Sequence, residues 1–413
     1  MNTDTLAIDF GTSNSAAAVA SPEGIFRIQL EPGHETLPTA IFLPKGEALR
    51  IGSAAGAALI AGDEGRYMRA LKSVLGTPLL HESRLIGGKR RTLADIITDF
   101  LVEIRTRAET ATGMTFHHAL SGRPARFHHD PARDKQAEDD LRACYIAAGF
   151  HSAAFLPEPE AAAIACGAMG QRGGLGLVVD IGGGTSDFSV FRTGDHGVEI
   201  LASHGIRLGG TDFDHVVSMA HAMPALGHGG ALKRDMGAGL LPVPNAVYVE
   251  LSTWAKIPFV YTPETRRSVA RMVRQATPET RMDRLETVLA EELGHELAFA
   301  VERGKIVANS GQDGAIEMGF VEAGLAPVIS RTSLDVSLSG YRADLADAAQ
   351  ETINRAGIRA GDIDRVVLVG GSSLMRMVED IATELCPKAE LLRSEVFTAV
   401  VDGLALAAQN TRG

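Results

Sequence analysis

Cysteine is scarce. Only Cys144, Cys166 and Cys386 occur in 413 residues. They lie far apart and form no Cys-x-x-Cys pair. That excludes a disulfide framework and a cysteine-based zinc site, and it fits a reducing compartment. An excess of basic charge is missing too: 40 Lys and Arg face 51 Asp and Glu, a net charge of −11. A nucleic-acid partner, which calls for a basic face, is therefore not expected. No apolar run approaches the roughly 20 residues of a membrane span. The first residues carry Asp4 and Asp9 instead of a basic segment followed by a long apolar core. No secretory leader is expected, and the predicted location is the cytoplasm. What remains is ordinary for a globular chain: 45% hydrophobic residues and a length that suggests two or three domain-sized units.

Against that plain background one stretch stands out, Leu177 to Phe191. Leu177 to Val179 is a short apolar run suited to a buried strand. Asp180 follows, then Gly182, Gly183 and Gly184, then Thr185 and Asp187, and a strand pattern resumes at Phe188. Glycines without a Cβ let a backbone approach a ligand closely. Bare amides suit phosphate oxygens, and a carboxylate at the mouth of the turn suits a hydrated Mg²⁺. The same design opens the chain: Leu6 to Ile8, Asp9, then Gly11-Thr12-Ser13-Asn14-Ser15, then Ala16 to Val19. One glycine-rich turn is weak evidence. Two copies suggest two related lobes offering phosphate loops to one nucleotide.

The rest of the chain alternates helix, strand and glycine turn, so the predicted class is α/β. Helices are expected at 54–61, 93–111, 134–148, 161–168, 344–356 and 398–409, and one long helical stretch at 280–310. Residues 320–337 are expected to be extended, and 227–245 to form a loop or small insertion. Glu158, between Pro157 and Pro159, is expected in a constrained pass before the alanine-rich helix. Val366 to Val369 reads as a buried strand before Gly370-Gly371-Ser372-Ser373. The glycine-rich segment 170–176 marks a boundary between lobes at 1–172 and 173–413, with inserted subdomains at about 37–93 and 209–337.

These signatures resemble the nucleotide-binding domain of the seventy-kilodalton heat-shock chaperones of DnaK type, within the actin-like ATPase superfamily. The residues that carry the likeness are Ile8 to Ser15, Glu158-Pro159 with Ala161 to Ala165, Leu177 to Phe191, Leu208 to Asp214, and Val366 to Ser373. The resemblance implies two duplicated, ribonuclease-H-like lobes with ATP or ADP and Mg²⁺ in the cleft. It implies Asp9 and Asp180 as metal carboxylates, and Lys72, Glu158, Asp180 and Thr185 as catalytic residues, with Asp187 a cleft carboxylate. It also implies nucleotide contacts at Gly11, Thr12, Ser13, Asn14, Gly182, Gly183, Gly184, Thr185, Gly209, Gly210, Gly370, Gly371 and Ser372. Glu302 and Lys305 match the ribose- and adenine-side residues. The sequence departs from the pattern at Ile306 and Leu374, where the family carries base-stacking arginines, and at Asn14, where it carries an aromatic. By that resemblance, no linker or peptide-binding β-domain is expected to follow. The chain looks closer to a short, YegD-like branch, expected not to hold extended hydrophobic peptides.

Plainer readings stand beside these. Asp9 and Asp180 could cap their turns, Lys72 could be a surface lysine, and Glu158 a local salt-bridge partner. The pairs His117-His118 and His128-His129 could suggest a metal, but neighbours on a strand point different ways, and they read as surface residues. Cys166 and Trp254 read as packing residues. Three functions remain open: a slowly hydrolysing ATPase with an unidentified protein partner or client; a nucleotide-dependent scaffold with little turnover; and a small-molecule kinase.

Overall fold

The computed structural model describes residues 4–21, 24–45, 48–86, 88–168, 174–194, 197–277, 281–393 and 398–410. Most of the 170–176 boundary segment lies outside them, as does the side chain of Cys166. The chain divides into two compact units, one of Met1–Gly210 with Arg342–Gly413, the other of Thr211–Tyr341.

The first unit holds two sheets built to one plan. In the first sheet, strand Thr5–Phe10 pairs antiparallel with Asn14–Ser21, and that strand pairs antiparallel with Gly24–Arg27. On its other side Thr5–Phe10 runs parallel to His118–Arg123, which runs parallel to Ser152–Pro157. The second sheet repeats this order. Leu175–Ile181 pairs antiparallel with Ser186–Gly194, and that strand with Gly197–Ile206. On the far side Leu175–Ile181 runs parallel to Arg365–Val369, which runs parallel to Glu390–Arg393. The inner strands are buried along nearly their whole length, as parallel strands covered on both faces must be.

Helices Glu158–Ala168 and Ala399–Asn410 share one core with both sheets. Their contact is made by small side chains: Ala161, Ala162, Ala163, Ala399 and Ala405 are all buried. Gly403 lies so near that a Cβ there would overlap the Ala161 carbonyl oxygen. Small residues give these helices a close approach that larger side chains would prevent.

Several expectations are corrected. Glu158 is not in a constrained pass before the alanine-rich helix; it opens that helix, Glu158–Ala168. Pro159 falls in the first turn, where its missing N–H costs nothing. The long stretch at 280–310 is two helices, Met282–Ala290 and Gly294–Asn309, broken where Glu292 takes φ 56°. Residues 331–337 are not extended. They begin a helix, Arg331–Arg355, and only Val328–Ile329 is strand. Polar Ser333, Asp335, Ser337 and Ser339 alternating with Leu334, Val336 and Leu338 imitate a strand period. Leu334, Leu338 and Leu345 are buried at helical spacing, while Val336 is exposed. The 227–245 segment contains a hairpin of Ala231–Lys233 and Leu240–Pro242. Among the described residues no helix is long and apolar enough to cross a membrane.

Candidate functional site

The two glycine turns meet. A Cβ at Gly183 would run into Ser13 Oγ, and would lie 3.1 Å from Thr12 Cβ. Glycine is thus needed here for packing of the second turn against the first. A third turn closes over them: Gly370 has φ 81°, and a Cβ there would stand 2.5 Å from the Ile181 carbonyl oxygen and 2.7 Å from Asp180 Oδ1. A fourth joins through its backbone, the Gly210 amide donating to the Gly182 carbonyl at 3.0 Å.

These turns surround an open cleft with a cavity volume of about 100 Å³. Asp9, Gly11, Thr12, Ser13, Asn14, Lys72, Glu158, Asp180, Gly182, Gly183, Thr185, Gly370, Gly371 and Ser372 all line it. Of the remaining candidates, Gly184 packs beside Thr12, with a Cβ position 3.1 Å from Thr12 Oγ1, and Gly209 and Gly210 are buried in the fourth turn. Glu302 and Lys305 lie on helix Gly294–Asn309 of the second unit. There Lys305 Nζ is 2.7 Å from Asp214 Oδ1, and Trp254 Nε1 donates to Asp214 Oδ2 at 3.0 Å. Burial raises the pKa of Asp214, against the pull of Lys305. Trp254 is packed inside, 2% exposed, as its sequence context suggests.

Lys72 is no surface lysine. It is 7% exposed and donates to Glu158 Oε1 at 2.5 Å. The turn that carries it, Leu71–Val74, is entered through Ala70 in the left-handed region at φ 60°. A non-glycine residue there is uncommon and marks a turn its surroundings hold in place. Burial opposes the ammonium charge, but Glu158, Asp9 and Asp187 face it and raise its pKa above the usual lysine value.

The carboxylates behave as a crowded set. Desolvation, then repulsion from Glu158, pushes Asp9 up to about 7. Desolvation, then Glu158, pushes Asp187 to about 8, although the Ala125 amide donates to it at 2.6 Å. Desolvation, then Glu158 and Asp187, also raises Asp180 well above the carboxylate range. Asp180 and Asp187 stand directly opposite across their strands, an unfavourable placement for like charges. Lys72 alone cannot neutralise Asp9, Glu158, Asp180 and Asp187. A site with that surplus of buried negative charge fits a divalent cation. Among the described residues no three His, Cys, Asp or Glu side chains form a direct ligand cage.

Asp187 and Arg207 are the polar groups beside the cleft whose partners sequence reasoning did not supply. His128 was expected at the surface but is 7% exposed, held by the Leu75 carbonyl and Arg207. It does not lie on a regular strand, so the alternation argument fails for it. His117 instead stacks on His151, with ring centroids 4.8 Å apart.

The family model described as Hsp70 protein matches residues 82–226. The chain is 25% identical to the chaperone protein DnaK of Akkermansia muciniphila, across 93% of this chain and 55% of that protein. It is 26% identical to a chaperone protein HscA homolog of Laribacter hongkongensis, across 98% of this chain and 58% of that one. The chain is Hsp70-like. Its mixed α/β fold, with several sheets and helices, is consistent with the two-lobed actin-like ATPase fold of Hsp70 homologues. It spans a little over half the length of these relatives. The Hsp70-like likeness extends beyond the family-model match and includes the first glycine turn and the third.

Proposed function

We propose that this Hsp70-like chain is a cytoplasmic, Mg²⁺-dependent ATP-binding protein that hydrolyses ATP slowly and acts on a protein client. The observation that carries the reading is the set of glycine turns around one cleft with the buried Lys72–Glu158 pair and surplus carboxylates. Asp9 and Asp180 would hold the cation, which when bound screens phosphate charge. The bare amides at Gly182 and Gly183, with Thr12 and Ser13, would receive phosphate oxygens. Thr185 would donate its hydroxyl near the terminal phosphoryl group.

Lys72 and Glu158 have complementary tasks. The carboxylate can only accept a hydrogen bond, so it would orient an attacking water by one of its hydrogens. The ammonium would meet charge that develops as the phosphoryl group transfers. In phosphoryl transfer, positioning and electrostatics do most of the work. Because the lysine acts where charge develops, its loss lowers turnover more than binding. In Lys72→Ala we expect a fall in single-turnover cleavage of at least about tenfold, as for removal of one preorganised donor, with Mg²⁺-ATP still bound. Calorimetry and quenched-flow cleavage measure the two quantities. Wild-type cleavage in that variant would remove Lys72 from the reaction. Binding without cleavage in the native chain would leave a nucleotide-controlled scaffold. Cleavage only in the presence of an added metabolite would identify a kinase.

A further inference from the structure

The net charge of −11 conceals a face of the opposite sign in the second unit. Residues 231–277 carry seven Lys and Arg against three Asp and Glu. Helix Pro263–Gln275 holds four of the arginines and one acid, Glu264. Its buried side chains are Val269 and Met272. Arg267, Arg271 and Arg274 recur one helical turn apart on the opposite side, and all three are exposed. Arg266 instead turns to the protein, donating to the Ala290 carbonyl at 3.1 Å and to Glu292 Oε1 at 2.7 Å. The three exposed arginines make no ion pair among the described residues. Elsewhere exposed arginines do find carboxylates, as Arg359 finds Asp362.

This helix runs into the hairpin of Ala231–Lys233 and Leu240–Pro242. Ala276 pairs with Leu232, the Thr277 amide donates to the Ala231 carbonyl at 3.1 Å, and Gln275 donates to Asp235. Leu232 is buried and anchors the hairpin. Beyond it Lys233 and Arg234 are exposed, also with no ion pair among the described residues. The tip is apolar: Met236 is 89% exposed, Leu240 56% and Leu241 44%. Gly237, at φ 88°, has nothing within 4 Å of its Cβ position, so the tip stands free. Large exposed apolar side chains rimmed by polar ones mark an interaction surface.

We propose that this face docks the chain on an anionic membrane surface. Guanidinium groups suit paired contacts with phosphate oxygens, and a basic cluster on a helix is drawn to a negatively charged leaflet. The aliphatic tip adds a second attraction by entering the boundary between headgroups and acyl chains. A lipid layer offers both chemistries side by side. A nucleic acid offers phosphates but nothing for Met236 and Leu240, and stacking on its bases calls for aromatics. Tyr248 and Trp254, the large aromatics of this segment, are buried. An acidic protein would need a pocket shaped to the projecting tip, whereas lipid yields to it. The attachment is peripheral and does not depend on the nucleotide reading of the cleft.

The test is sedimentation of the full chain with vesicles of phosphatidylcholine, alone or mixed with phosphatidylglycerol. Binding is expected to the mixed vesicles only, and should weaken as salt rises from about 0.1 M to about 0.5 M, because screening shortens the reach of the charges. Arg267→Gln, Arg271→Gln and Arg274→Gln together should weaken it about tenfold or more, while lysine at the same three positions should keep most of it. Met236→Ser with Leu240→Ser should weaken it about threefold or more at an unchanged melting temperature, since both side chains already face solvent. In Met236→Trp the added fluorescence should shift to the blue on anionic vesicles, against a constant background from the buried Trp254. Absence of binding to the mixed vesicles, equal binding to both kinds, or native-strength binding by the triple glutamine variant overturns the proposal. So does tighter binding to duplex DNA or to polyglutamate, which would assign the face to a nucleic acid or to an acidic protein.

Discussion

The two glycine hairpins of the first unit share a topology but solve different problems. In the first, Asp9 stands opposite Ala16; in the second, Asp180 stands opposite Asp187. In the first, Gly11 serves its own turn, because a Cβ there would collide with the backbone carbonyl of Asn14. In the second, Gly183 makes room for Ser13 and Thr12 of the first hairpin. The first hairpin thus contributes side chains, and the second contributes bare backbone and concentrated negative charge. Duplication supplied two similar turns; their inequality is what makes one cleft with a hydroxyl side and a charged side.

The largest effect should come from the glycine that no side-chain movement can rescue. Gly11→Ala meets backbone, so we expect a loss of about 3 kcal/mol in stability by denaturant unfolding, in the upper range for single substitutions. Gly183→Ala meets the rotatable Ser13 hydroxyl and should cost about 1 kcal/mol. Equal losses in the two variants would erase the contrast.

Charge sharpens it next. Asp180→Asn removes one of two opposed buried carboxylates. The ligand-free protein should become more stable at pH 8, by roughly 1 kcal/mol on the scale of cross-strand pairs. Asp9→Asn, facing alanine, should gain less. Both variants should lose Mg²⁺-dependent nucleotide affinity, by about tenfold or more, since each removes a carboxylate from the cation site. A ligand-free Asp180→Asn less stable than the native chain would show that the opposed pair is compensated after all.

The raised carboxylates set a pH dependence of definite sign. Asp9, at about 7, and Asp187, at about 8, hold protons in the fold that the unfolded chain has already released near pH 4. Where the native state binds more protons, stability falls as pH rises. His204, His215 and His221 have lowered pKa values and act oppositely, but only below their ordinary range near 6.5. Melting temperature of the ligand-free protein should therefore fall between pH 6.5 and 8.5. Asp187→Asn should flatten that fall. Mg²⁺-nucleotide should flatten it also, and its binding at pH 7 should release protons, read by calorimetry in buffers of different ionisation enthalpy. A rising or level melting curve in the ligand-free protein would contradict the carboxylate assignment.

The smallest effect on the fold should come from Gly182. A Cβ there has only an ordinary contact, 3.8 Å from the Thr185 carbonyl oxygen, and its φ is not in the left-handed region. Gly182→Ala should change stability by less than about 0.5 kcal/mol, as surface substitutions do. If its amide receives phosphate, nucleotide affinity should still fall about tenfold. Unchanged affinity would mean that no ligand approaches this position closely.

Local chemistry made much of this protein legible in the sequence. The two Asp-Gly turns, the buried strand before Gly370-Gly371 and the alanine-rich helix all follow from short-range pattern, since turns and strand periods are set by adjacent residues. Helices Leu93–Thr112 and Ala399–Asn410 were likewise readable from their spacing. Lys72, Glu302 and Lys305 were nominated by resemblance and not by any local signal. Burial of Lys72 against Glu158, 86 positions away, belongs to the tertiary structure alone. The same holds for Asp180 facing Asp187, for Arg207 strapping Ser73, and for His128 lying inside. Residues 331–337, with polar and apolar side chains alternating from Ser333, read as extended because their true period appears only when buried and exposed positions are known. A sequence carries its turns in contiguous residues, but desolvation and charge crowding depend on which distant groups the fold brings to one place.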